Sequence, residues 1–131
     1  MTTEKTDLLS KFEEKEIALA MHNNNDFDSL SLGDCEGLLE ESRKQIKDGG
    51  YTIYGDDEAD DEWGNVLNNY IGEQIYPEII KTSPTLYNYF DEVAWKYDAR
   101  RNGRGYYLSK YNGNEYEQTV NGTTYYIYRQ R

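Results

Sequence analysis

Six of the seven residues from position 56 to 62 are carboxylates: Asp56, Asp57, Glu58, Asp60, Asp61 and Glu62. Acids at that density can hold a hard cation, trade a proton across a matched pair, or present fixed negative charge to a cationic partner. An EF-hand loop needs oxygen ligands at alternating positions, a central glycine and a terminal Glu, and neither 26–37 nor 56–67 follows that order. Weak divalent binding along the run stays open, but no dedicated metal site is expected. Carboxylate catalysis needs two carboxyls at a set distance in contrasting environments, and nothing marks one pair out. His22, the single histidine, stands beside three asparagines and reads as a solvated loop residue. Cys35, the single cysteine, cannot form an internal disulfide and falls in an apolar helical register, as a buried thiol does. No nucleophile-elbow, Walker or dinucleotide glycine pattern is present, so no catalytic residue and no cofactor is expected.

Charge display is then the leading chemistry. The 131-residue chain has a formal net charge of −11. Residues 1–98 hold 23 acids against 8 Lys or Arg, and residues 99–131 hold 2 against 6. Such acidity argues against direct contact with nucleic acid and for binding proteins that handle it, although solubility alone is the plainer alternative. Arg100, Arg101, Arg104 and Lys110, interleaved with Tyr106, Tyr107 and Tyr111, resemble a stacking platform for single strands. Tyrosines alternating on a small sheet explain them better, and the arginines offer contacts to the acidic face of a second subunit in a homodimer.

Fixed charges need a scaffold. Leu8, Leu9, Phe12, Glu16, Leu19 and Ala20 recur at helical spacing and predict one helix over residues 6–21, ended by the asparagines. Ser31 with Asp34 starts a second helix that buries Cys35, Leu38, Leu39, Ser42 and Ile46 and stops at Gly49 and Gly50. Residues 51–54 suit a short strand. The acidic run opens a third helix carrying Trp63, Val66, Leu67, Tyr70, Ile71 and Ile75 and ending near Pro77. Ser83 and Pro84 start a fourth, with Leu86, Phe90, Val93, Ala94 and Tyr97 as its stripe. Residues 106–111, 115–120 and 123–128 predict strands joined by Asn-Gly turns at 112–113 and 121–122. The expected fold is thus one α+β domain with about four helices and a C-terminal three-stranded antiparallel β-meander, its sub-lobes spanning 1–50 and 51–131. With no long apolar run and no signal pattern, no membrane contact is expected and the cytoplasm of a host cell is the expected compartment.

Residues 83–98 read Ser-Pro-Thr-Leu-Tyr-Asn-Tyr-Phe-Asp-Glu-Val-Ala-Trp-Lys-Tyr-Asp. Through Pro84, Leu86, Asn88, Tyr89, Phe90, Asp91, Ala94 and Asp98 this resembles a C-terminal segment of the ArdA antirestriction proteins. The resemblance implies an elongated, acidic, usually dimeric protein of a phage or other mobile element that mimics bent B-DNA and blocks type I restriction–modification enzymes. Geometry agrees: a helix rises about 1.5 Å per residue and B-DNA carries about one charge per 1.7 Å of axis. The expected partner is a DNA-binding host defence protein, either a restriction–modification enzyme or, in an anti-CRISPR variant, a Cas complex. A protein–protein adaptor without mimicry is the alternative. The acids expected to meet the partner are Glu36, Glu40 and Glu41 on the second helix, Asp56, Asp57, Glu58, Asp60, Asp61 and Glu62 in the run, and Glu73, Asp91 and Glu92.

Overall fold

A computed structural model describes residues 3–131. Helices α1 (Thr3–Leu9), α2 (Glu14–Asn23) and α3 (Leu32–Lys47) lead to strand β1 (Tyr51–Gly55) and helix α4 (Asp56–Tyr70). A π turn at Ile71–Ile75 continues into α5 (Tyr76–Thr82), followed by a 3₁₀ turn (Pro84–Tyr89), α6 (Glu92–Ala99), a shorter 3₁₀ turn (Arg100–Asn102) and α7 (Arg104–Leu108). Strands β2 (Tyr116–Val120) and β3 (Thr123–Arg129) close the chain. The class is α+β with a three-stranded antiparallel sheet, and the described residues hold seven α-helices where about four were expected.

The sheet has the order β1-β3-β2, with Ile53 opposite Ile127 and Val120 opposite Thr123. Alternation along the strands divides the core in two. Ile53 and Ile127 face Leu19 of α2 and Ile46 of α3, while Tyr54, Tyr126 and Tyr128 face Ala59, Trp63 and Val66 of α4 and Leu108 of α7. Helices α1 to α3 therefore cover one face and α4 with α7 the other. A third cluster, around Leu8, Ala18, Phe27, Cys35, Leu39 and Val120, fills the angle between α1, α2, α3 and the end of β2.

Several expected elements are present. Ser31 Oγ accepts the Asp34 N–H at 3.2 Å to start α3, and Gly49, at φ 78°, supplies the left-handed stop. Asn121 and Gly122, at φ 50° and 83°, form the two-residue hairpin turn whose twist suits β2 and β3.

Four expectations are corrected. The single first helix is broken at residues 10–13, because Arg43 of α3 reaches across: its Nη2 donates to the Lys11 carbonyl at 2.9 Å, and its guanidinium lies 4.3 Å from the Phe12 ring centroid. Glu16 then accepts the Glu13 N–H at 2.9 Å and restarts the helix. The third helix runs on to Thr82 instead of ending near Pro77. Proline lacks an N–H and its ring crowds the carbonyl four residues back, and the wider π turn, with the Tyr76 N–H bonded to Ile71 O, loosens the ladder just ahead of it. The fourth helix starts at Glu92, because Asp91 Oδ1 takes the Ala94 N–H at 3.0 Å while Ser83 makes no side-chain cap. The strand expected at 106–111 is absent: residues 106–108 are helical, in α7, 109–111 lead into a turn, and β1 takes the third place in the sheet, so the three strands do not form a C-terminal meander.

Gly105 explains that last correction sterically. A Cβ there would lie 2.7 Å from Asn114 C, 2.8 Å from Glu115 N and 2.8 Å from Gly113 O, all backbone atoms. Gly105→Ala should therefore destabilise the protein by about 2 kcal/mol or more in urea unfolding. Gly37→Ala on α3 meets nothing within 4 Å and should stabilise by about 0.5–1 kcal/mol.

Candidate functional site

The acidic run forms the first two turns of α4. Gly55 precedes it, and Glu58 Oε1 accepts the Gly55 N–H at 3.1 Å. First-turn acids suit the positive end of the helix dipole, while acids four apart on one side repel by a few tenths of a kcal/mol each. Ala59, fully buried, turns the helix so that Asp56 and Asp60 share one side and Asp57 and Asp61 lie further round.

Asp56 and Asp60 converge on one cation. Arg104 Nη1 donates to Asp56 Oδ1 at 2.8 Å, to Asp60 Oδ1 at 2.9 Å and to the Asp56 carbonyl at 3.2 Å. Its Nε donates to Glu115 Oε1 at 2.8 Å, and its guanidinium stands 4.4 Å from the Tyr126 ring centroid. The arginine side chain is only 11% exposed, against 63% and 56% for the two aspartates. Burial works against its charge, but Glu115 and Asp56 outweigh it and raise the pKa further above the ordinary arginine value. Glu115 also accepts from the Tyr128 hydroxyl. Burial, then that bond, pushes the Tyr128 phenol above its ordinary range.

The other candidate acids are dispersed. Glu58 pairs with Lys15 of α2 at 3.1 Å, and the Gly55 N–H with that lysine holds its carboxyl below the ordinary value. Half-buried Glu62 lines a cleft of about 430 Å³ with Tyr54, Val66 and Lys110. Asp91 is the α6 cap, and Glu92 accepts from the Tyr76 hydroxyl, raising that phenol to about 12. Glu73 is exposed on the π turn. Glu36, Glu40 and Glu41 are exposed on α3, across the sheet from α4. Among the described residues Asp57, Asp61, Glu36, Glu40 and Glu41 enter no ion pair. Of the twelve expected acids, Glu36, Glu40 and Glu41 form one exposed row and Asp57 and Asp61 another on the opposite layer, while Asp56, Glu58, Asp60, Asp91 and Glu92 are committed within the chain.

The basic end is arranged otherwise than expected. Arg104 of α7 pairs with Asp56 and Asp60 of α4, and Arg100 lies 4.6 Å from the Trp63 ring centroid. Arg101 stays exposed, 3.7 Å from Asp98. No local pattern announces Arg104, Glu115 or Lys15 as partners of the run, because the Arg104 contacts to Asp56 and Asp60 span 48 and 44 residues.

His22 belongs to the last turn of α2, not to a solvated loop, with its ring 4.7 Å from that of Tyr116, and burial lowers its pKa. Cys35 is fully buried and burial raises its thiol. Among the described residues no group of three or more His, Cys, Asp or Glu is placed to hold a metal ion, and no helix is long and apolar enough to cross a membrane. No family model, curated protein or solved structure matches the chain.

Arg104→Ala strands three carboxylates beside Tyr126 and Tyr128. It should cost about 2 kcal/mol of unfolding free energy, kept near the lower end for a charged network by the exposed aspartates, and Arg104→Lys should fail to restore it. The pH dependence follows from Glu16 on the opposite layer. Burial opposes its ionisation, but Arg43 (2.9 and 3.1 Å) and the Glu13 N–H outweigh that and hold it below the ordinary 4.5. A carboxyl depressed by folding stabilises above its unfolded pKa and loses that contribution as pH falls through the folded value. Urea midpoints should therefore drop once pH passes below about 4.5, and Glu16→Gln should flatten the drop.

Proposed function

We propose that this protein is a non-enzymatic anionic decoy that occupies the DNA-binding site of a DNA-handling host defence enzyme. The observation that carries the reading is the pair of acid rows, Glu36, Glu40 and Glu41 on α3 and Asp57 and Asp61 on α4, exposed on opposite layers of the sandwich. Each row is held on a helix packed against a shared sheet, so its charges are prepositioned, and rows on opposite layers suit the two walls of a positively charged channel. Asp56 and Asp60 serve the fold through Arg104 and leave the outward pair to serve the partner. The resemblance of residues 83–98 to antirestriction proteins makes a type I restriction–modification enzyme the first target to test and a Cas complex the second.

A second reading, an adaptor or self-associating protein, is favoured by residues 76–98. No residue of α5 or the 3₁₀ turn at Pro84–Tyr89 is buried, while Tyr89, Val93 and Tyr97 are 81%, 79% and 67% exposed. Tyr76, packed on Tyr87 and Phe90 with ring centroids at 4.7 and 5.5 Å, holds the segment together, and Tyr70 stacks on Trp95 at 5.4 Å to tie it to α4. Residues 76–101 hold four acids and four bases. Two copies of a chain at −11 repel elsewhere, and this neutral apolar segment is where they can meet.

The test is displacement of a labelled duplex from a type I restriction enzyme and from a Cas9 complex, with sedimentation run alongside. The combined variant Glu36→Gln, Glu40→Gln, Asp57→Asn and Asp61→Asn should weaken displacement roughly tenfold or more, and raised salt should mimic it. Tyr89→Ser with Val93→Ser should leave displacement unchanged if only the acids bind. Loss of displacement in that double variant alone supports the adaptor, and a shift to a slower-sedimenting species assigns the segment to a dimer. A quadruple variant as potent as the parent sinks the decoy.

A further inference from the structure

On the layer opposite α4, a cleft of about 570 Å³ opens between α1, α2, the 3₁₀ turn at Phe27–Ser29 and the β2–β3 turn. That volume falls among clefts that hold small organic molecules, about 300–1,000 Å³. Its floor is apolar: Ile17 and Met21 from one side of α2, with Phe27 and Val120. Glu14, one turn before Ile17 on the same side of α2, also lines it.

The Glu14 carboxylate is fixed there. Oε1 accepts the Tyr125 hydroxyl at 2.6 Å and Oε2 the Asn121 amide at 3.2 Å. The phenol bond, then the amide, keep its pKa low, and Tyr125 is pushed up to about 12 in return. A carboxylate has about four acceptor positions, so two remain for a further donor. Asp28 joins the lining, and among the described residues no Lys, Arg or His does. Nearby cations are engaged elsewhere: Lys5 Nζ donates to the carbonyls of Phe27, Asp28 and Leu30 at 3.1, 2.7 and 3.2 Å, and Arg43 is clamped on Glu16.

We propose that this cleft binds an amphiphilic organic cation, its ammonium on Glu14 and its apolar body on the floor of Ile17, Met21, Phe27 and Val120. A neutral molecule of the same shape keeps the apolar contact and loses the charge-assisted hydrogen bond, and an anion meets two like charges. The site is independent of the decoy reading, because its residues lie across the sheet from Asp57 and Asp61.

The test uses the full chain and three eight-carbon probes, octylammonium, octan-1-ol and octanoate, in calorimetric titration with NMR shift mapping. Octylammonium should bind one to one, about tenfold more tightly than octan-1-ol, with octanoate silent. Shifts should centre on Ile17, Met21, Phe27 and Val120. Glu14→Gln should bring octylammonium to the level of octan-1-ol without moving the alcohol, and Asp57→Asn with Asp61→Asn should change neither. No binding of octylammonium at low millimolar concentration, equal affinity for the cation and the alcohol, an unaffected Glu14→Gln, or shifts centred on 57–61 would each overturn the proposal.

Discussion

The Arg104 guanidinium is the contact on which the α4 side of the molecule depends. It joins the first turns of α4 through Asp56 and Asp60, the segment before β2 through Glu115, and the sheet through the Tyr126 ring. Each partner would be costly alone. Asp56 and Asp60 would repel along the helix, Glu115 would sit against a fully buried phenol without a cation, and Arg104 would lose water from a side chain nearly nine-tenths covered. Together the charges meet within hydrogen-bond distance and the desolvation is offset. Gly105 brings the arginine to that position, since only a residue without a side chain lets α7 approach the backbone at Gly113, Asn114 and Glu115.

The same device recurs on the other layer with different parts. Arg43 donates to both oxygens of Glu16 and to the Lys11 carbonyl while covering Phe12, and so joins α3 to the break between α1 and α2. Lys5 turns its ammonium into three carbonyls around the 3₁₀ turn at Phe27–Ser29. A chain with 25 acids and only 14 Lys or Arg thus uses several of its scarce cations as internal ties. Arg104, Arg43 and Lys5 are thereby occupied within the chain, and none of them pairs with Asp57, Asp61, Glu36, Glu40 or Glu41.

Two surfaces of opposite character result. The acid rows of α3 and α4 stand on helices that share the sheet as a foundation, so the backbone that carries them is fixed by the packing of both layers. The segment from α5 to α6 lacks a buried residue until Ala99 and relies on aromatic contacts around Tyr76 and Trp95. It exposes apolar area that a soluble monomer seldom displays in one stretch.

Much of the local structure was legible in the sequence. The Ser31 cap and the apolar spacing of α3, the β-branched and aromatic strand at Tyr51–Gly55, the helix opened by the acidic run and the Asn121 and Gly122 turn all rest on interactions within a few residues of one another. The acids of the candidate site were equally visible as residues, but not their division into structural and outward-facing. What went unread was decided at a distance. The break after Leu9 answers to Arg43, the helical form of Arg104–Leu108 to the backbone packed against Gly105, and the third strand of the sheet to pairing between Ile53 and Ile127. Residues 106–111 carry strand-forming tyrosines, but Tyr106–Leu108 belong to α7, which packs against α4, and the third strand of the sheet is supplied by β1 on the far side of β3. The sequence by itself therefore determined which residues are charged, which spacings are helical and where the hairpin turns. Only the tertiary structure decided which carboxylates Arg104 neutralises and which remain outside, because that choice depends on atoms brought within 3 Å across 44 to 48 residues of chain.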